Sequence, residues 1–195
     1  MRIGAMAATA ALLGVFALAA CDPAPEPADA PATAEPGAPA TLAGFTHAIE
    51  GDLSGYYMPV TGVEVGQYKL AHLFVGQAHE FDAWEKGDRS QTFAPVMFVF
   101  EDTSSPMVSN ELGGEAHSLS VRVLPSAYAV TNGALRFAGS APELGEVTFE
   151  GPIDAGALAT ARRNLGASEA PVLTGTLRVG GRTFEAQQFG WWVGD

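Results

Sequence analysis

Beyond residue 42, apolar and polar positions alternate with a period of two over most of the chain, the signature of strands half-buried on one face. Phe45, His47 and Ile49 alternate with Thr46, Ala48 and Glu50. After a Gly51-Asp52 turn the strand pattern resumes over 53–58 and stops at Pro59, and 68–75 makes a third strand. The run 93–100, FAPVMFVF, is apolar on both faces and predicts a strand covered from both sides. Leu119, Val121 and Val123 share one face of 118–124. Residues 128–131 and 134–138 flank Asn132-Gly133, a dipeptide suited to both left-handed positions of a type I′ hairpin turn. Strands follow over 145–150 and over 172–179, and Gly180-Gly181 turns the chain into a closing strand at 182–193.

The pattern departs from alternation in four places. Residues 78–89, AHEFDAWEKGDR, fit either a strand or a helical turn. Residues 103–114 read as a polar loop containing Pro106 and Gly113-Gly114. At 154–165 the period becomes helical: Asp154 is a cap, Leu158, Ala161 and Leu165 form a stripe, Arg162-Arg163 suit the C-terminal dipole, and Gly166 is a stop. Within the last strand, Phe184 and Ala186 fall on even positions, whereas Phe189, Trp191 and Val193 fall on odd ones. A strict period of two cannot place both sets on one face, so the sequence predicts a β-bulge near Gln187-Gln188, with Trp191 inside and Trp192 outside. The alternative is a regular strand covered on both faces in its second half. The fold expected for 42–195 is one mostly β domain, an antiparallel sandwich or barrel of about nine strands with one short helix.

The first 41 residues follow different rules. Met1-Arg2 is a short positive start, residues 3–20 carry no charge, and small residues precede Cys21. This is the pattern of a secretory signal. Its end, Leu18-Ala19-Ala20-Cys21, resembles the lipobox of bacterial lipoproteins at every position. The resemblance implies cleavage after Ala20, a diacylglycerol on the Cys21 sulfur and an acylated new amino terminus. More than one chain is what stable anchoring needs, at about 0.8 kcal/mol per buried CH₂. The lipid-anchored protein would then sit on a bacterial membrane, facing the periplasm. Residues 22–41 hold six of the thirteen prolines and four acids, with no base or aromatic. Such a stretch cannot bury a core and reads as a disordered tether. The expected organisation is a signal peptide at 1–20, a lipidated cysteine and tether at 21–41, and the β domain at 42–195.

Charge narrows the partners. The chain carries 10 bases and 22 acids, a net charge of −12, and loss of the leader removes only Arg2. So acidic a protein is ill suited to nucleic acid. Cys21 is the single cysteine, so an exported domain without disulfides must rely on its core.

Motifs that carry chemistry are scarce. Gly51-Asp52-Leu53-Ser54-Gly55 has the wrong spacing for a nucleophile elbow, and no phosphate loop, dinucleotide fingerprint or C-x-x-C occurs. His79, Glu80 and Asp82 bring an imidazole and two carboxylates close in sequence, but the spacing alone does not make them converge on a metal. Glu101-Asp102-Thr103-Ser104-Ser105 is rich in oxygens, yet lacks a calcium-loop pattern and reads as an ordinary turn. Tyr56-Tyr57 and Trp191-Trp192 are adjacent aromatics in strands, so one of each pair is core and the other exposed or lining a cavity, unless a second layer buries both. Trp192 is thereby a candidate partner-binding aromatic. No cofactor or metal is expected. The sequence reading is a lipid-anchored envelope protein whose β domain binds an envelope protein or a small apolar ligand without catalysis. Two alternatives stand beside it: a metal-assisted hydrolase using His79, Glu80 or Asp82, and a lipocalin-like carrier with an apolar lumen.

The anchor gives the first prediction. Cys21→Ser should abolish incorporation of labelled fatty acid and leave an unprocessed precursor, whereas continued labelling contradicts the lipobox reading.

Overall fold

The computed structural model describes residues 42–109, 114–165 and 170–194. The leader, Cys21 and the tether lie outside the described residues. Alternation becomes strand at β1 (Phe45–Ala48), β2 (Gly55–Pro59), β3 (Glu64–Val65) and β4 (Tyr68–Val75). Helix α1 (Ala78–Glu85) follows, then β5 (Val96–Asp102), β6 (Met107–Ser109), β7 (Glu115–His117), β8 (Ser120–Val123), β9 (Pro125–Thr131), β10 (Ala134–Ala141) and β11 (Gly145–Pro152). Helix α2 (Ala155–Arg163) precedes the closing pair β12 (Leu173–Val179) and β13 (Arg182–Trp192).

One sheet runs in the order β1-β9-β10-β11-β12-β13-β2-β4-β5-β8, with β3 beside β4, while β6 and β7 form a separate ribbon. The pairing of β1 with β9 is parallel and every other ladder is antiparallel. The molecule is thus mostly β, in the sandwich or barrel class. Only Leu124 separates β8, which pairs with β5, from β9, which pairs with β10. The buried positions on this run are Val123, Pro125 and Ala127, then Tyr128 and Val130. The phase shifts once between them, where the β9–β10 register also shifts. The bulge turns the strand, so that one run of chain meets β5 with its first half and β10 with its second. The sheet therefore curls round until β8 comes near β10, with which it does not pair.

Inside the curl the side chains touch across the middle. The ring of Phe98 lies 5.0 Å from Phe137 and 6.0 Å from Phe149, and Phe149 lies 5.6 Å from Phe189. Leu70, Leu73, Leu135 and Leu173 fill the spaces, each no more than 1% exposed. Small barrels fill their interiors in this way. A carrier of apolar ligands needs a hollow, and these rings and aliphatic chains occupy the place where it would be. As the two-faced pattern predicts, β5 buries Val96, Phe98 and Phe100 inside and also covers Met97 and Val99 on its outer face.

Several local expectations need correction. The ambiguous 78–89 segment is helical over α1, so the described residues hold two helices and not one. Phe81 and Trp84 are its buried residues, and three positions apart they share a face only on a helix. Within the expected 103–114 loop, Met107–Ser109 is a strand, β6, paired with β7 just beyond it. The β9–β10 hairpin forms at Asn132-Gly133 but without a type I′ turn, since neither residue has a positive φ. The Asn132 side-chain carbonyl instead accepts the Glu50 amide at 3.0 Å, and Thr131 Oγ1 accepts the Gly133 and Ala134 amides. Both left-handed positions occur at Gly180 (φ 54°) and Gly181 (φ 86°), which close the β12–β13 hairpin. Helix α2 starts on Asp154, whose carboxylate accepts the Ala157 amide at 2.9 Å, but ends at Arg163. Leu165 then sits at φ 54° and is 72% exposed, outside the stripe assigned to it.

The bulge in β13 is present, two residues before the expected place. Gly175 pairs with Gln187 and Leu177 with Phe184, so Glu185 and Ala186 together oppose Thr176. Ala186 takes φ 51°. Beyond it Gln187, Phe189 and Trp191 point inward. Buried Gln187 is satisfied by donating to the carbonyls of Thr61 and Gln188 at 3.0 and 3.1 Å.

A left-handed alanine is strained by its Cβ, and glycine removes that strain while gaining unfolded-chain entropy. Ala186→Gly should therefore stabilise the protein by about 0.5–1 kcal/mol, read as a higher urea midpoint at unchanged slope. A lower midpoint contradicts the left-handed bulge.

Candidate functional site

The β13 bulge decides which aromatics reach the outside. Tyr57 is fully buried and Trp191 is 4% exposed, so each adjacent pair sends one ring inward. Their neighbours Tyr56 and Trp192 point outward and are half-buried. Register then lines up Trp192 with Tyr56, Tyr56 with Phe74, and Phe74 with Met97 across β13, β2, β4 and β5. Ring centroids lie 5.8 Å apart for Tyr56–Trp192, 5.5 Å for Tyr56–Phe74 and 5.5 Å for Phe74–Phe93. His72 packs edge-on against Tyr56 at 4.9 Å. Burial, and then the nearby Arg122 charge, push its imidazole below the ordinary histidine range. Met58 stands beside the row at 39% exposure. The result is an apolar strip on the outer face of the sheet.

The strip runs into a groove of about 410 Å³ where Tyr56 and Phe74 meet Asp52, Arg162, Gln77 and Glu80. The groove floor depends on close contacts. Trp191 Nε1 donates to the Ser54 carbonyl at 3.0 Å, and Arg162 Nη1 donates to the same oxygen at 2.8 Å. The Arg162 guanidinium lies 4.9 Å from the Trp191 ring centroid, and its Nη2 is paired with the Asp52 carboxylate. Gly55 has φ 140°, and a Cβ there would stand 2.2 Å from Trp191 Nε1, so only glycine fits. A second groove of about 580 Å³, lined in part by Leu53, Asn132 and Leu158, lies beyond the Asp52–Arg162 pair.

Asp52 and Asp102 build the same turn twice. Asp52 accepts the Ser54 amide at 2.9 Å and the Ser54 hydroxyl at 2.6 Å, and Asp102 does the same with Ser104. The oxygen-rich segment from Glu101 is thus the expected Asp/Ser turn. Burial alone would raise the Asp52 carboxyl. The Ser54 hydrogen bonds and the Arg162 charge outweigh it and hold the carboxyl below the usual range.

The His79, Glu80 and Asp82 residues do not converge. On α1 His79 is exposed, Glu80 accepts the Gln77 amide at 2.7 Å as an N-terminal cap, and Asp82 faces His47 and Lys86. Among the described residues no three His, Cys, Asp or Glu gather as metal ligands. A cluster that sequence reasoning missed forms nearby. His47 Nδ1 is 2.9 Å from Glu85 Oε1, its Nε2 is 3.7 Å from Asp82, and Tyr128 Oη donates to the same Glu85 oxygen at 3.1 Å. Burial, then the Glu85 charge, raise the Tyr128 phenol. The His47 ring stacks on Phe81 at 5.2 Å. These contacts fasten α1 to β1 and β9. Partners 38 and 43 residues apart leave no local spacing by which a sequence could reveal them.

The Asp52 turn has a pH signature. Its folded carboxyl titrates below the unfolded value near 3.8, so its stabilisation is full above that pH and is lost as pH falls through the lower folded value. Asp52→Asn should be less stable than the wild type at pH 6, by at most about 1 kcal/mol for so exposed a pair. The difference should shrink below pH ~4. A constant difference in urea midpoint down to pH 2 contradicts this.

No family model, curated protein or solved structure matches the chain, so what the site can do has to follow from its own residues.

Proposed function

We propose that the chain is a lipid-anchored protein of the bacterial cell envelope. Its β domain binds a partner protein, without catalysis, through the outer aromatic strip that ends at Trp192. The observation that carries this reading is the strip itself. Trp192, Tyr56, Phe74 and Met97 align through three ladders on the outer face, with the rings only half-covered. Contiguous half-buried aromatics beside a polar groove are the composition of an interface centre and its rim. The lipobox at 18–21 and the proline-rich tether support placement on a membrane, facing the periplasm. No described helix is long and apolar enough to cross one.

The hydrolase alternative draws no support from His79, Glu80 and Asp82, which are committed to solvent, a helix cap and an ion pair. The carrier alternative has to displace the packed rings of the interior.

A photo-crosslinking residue placed at Met58 of the full chain in cells tests the reading. A discrete adduct should form and be lost on Trp192→Ala, which removes a large interface ring worth about 2 kcal/mol or more. The Trp192→Ala protein should keep its fold, with unchanged circular dichroism. No adduct from Met58, or one that survives Trp192→Ala, contradicts the proposal.

A further inference from the structure

Among the described residues β8, at one end of the curled sheet, has an edge that no strand pairs with. The sheet's path has two ends, β1 and β8. The first lies under α1, fastened through His47 and Glu85. At the second, the Asp102 amide donates to the Leu119 carbonyl at 3.0 Å, so Leu119 turns its main chain toward β5. Main-chain groups along a strand alternate in direction. Val121 and Val123 therefore also bond toward β5, while Ser120 and Arg122 turn their N–H and C=O groups the other way. No described strand pairs with them there, because the ladder to β10 begins only at Pro125↔Gly139. At that corner the Leu124 carbonyl lies so close that a Cβ on Gly139 would stand 2.4 Å from it. On the other side of the corner a groove of about 400 Å³ opens between Ser120, Arg122 and Leu124 on one wall and Ser140, Pro142 and Glu143 on the other.

We propose that this edge accepts an extended segment of a second protein as an added strand, with an acidic side chain across from Arg122. Adding a strand satisfies the outward groups of Ser120 and Arg122, and the groove beside them is where the added chain would lie. Arg122 is exposed and has no carboxylate partner among the described residues, although the chain holds 22 acids. An opposite charge directly across an antiparallel pair is favourable. Other occupants fit less well. Residues 22–41 are interrupted by six prolines, which lack the N–H that a ladder needs. A second copy brings another net charge of −12 against the first. The edge is four residues long and carries a charge, which guards against indiscriminate pairing and suits a selective partner. The proposal does not rest on the aromatic strip, so either can fail alone.

The test uses the detergent-extracted, isotope-labelled full chain and a capped Thr-Val-Glu-Val-Thr peptide as probe, read by amide hydrogen exchange. The peptide should slow exchange at the Ser120 and Arg122 amides saturably. N-methylation of its alternate amides should abolish the effect, and Lys in place of Glu should weaken it by about two- to fivefold. Arg122→Glu should reverse that preference. Ser120→Pro removes one outward N–H at the first residue of the strand, where proline is tolerated, and should lose binding at unchanged Tm. The proposal is overturned by unprotected amides, by equal binding of the N-methylated peptide, or by binding retained in Ser120→Pro. Protection without peptide that grows with protein concentration also overturns it, since it assigns the edge to a second copy.

Discussion

Side-chain parity governs this molecule. A strand sends alternate residues to opposite faces, and a sheet that curls round its own core must keep one face apolar along its whole path. Three stretches cannot do so without an extra residue: β4, whose register shifts between Leu70 and His72, the run through β8 and β9, and β13. The run through β8 and β9 shifts phase once, which lets it pair with β5 first and β10 afterwards. In β13 the shift falls at Glu185–Ala186 and is held by a left-handed alanine. Without it, Trp191 would turn away from the core. The contacts that Trp191 makes with Ser54 and Arg162 would then be lost together with the Asp52 pair that they organise.

The same shift produces the surface. With Trp191 inside, Trp192 lies outside in line with Tyr56, Phe74 and Met97. The strip and the adjoining groove are two sides of one arrangement, since Trp191 forms the groove floor and its neighbour ends the strip. Charges around the groove are engaged: Arg162 with Asp52, Glu80 with the start of α1. The half-covered rings of the strip lie beside these engaged charges.

Much of this was legible in the sequence where the signal is local. The third strand, β4, has the bounds that alternation gives, the two-faced apolar run became β5, and the phase break announced the bulge to within two residues. Asp154 capped α2 as its spacing implied. What failed was decided by tertiary contacts. Asn132-Gly133 has the composition of a type I′ turn, but the Asn132 carboxamide is used on the Glu50 amide, 82 residues away in sequence. Helix α1 is only eight residues long, too short for periodicity to separate it from a strand. Asp82 looked like a partner of His79 and is instead a partner of His47. The open edge of β8 was invisible because pairing partners are a property of topology.

Fluorescence quenching tests parity in β13 most directly. With Trp84 and Trp191 replaced by Phe, Trp192 is the remaining tryptophan. The bulged strand places it on the outer face, so iodide should quench it readily and its emission should lie to the red of a buried indole. A blue-shifted Trp192 that iodide does not reach would contradict the bulge, and with it the placement of the aromatic strip on the outside of the sheet.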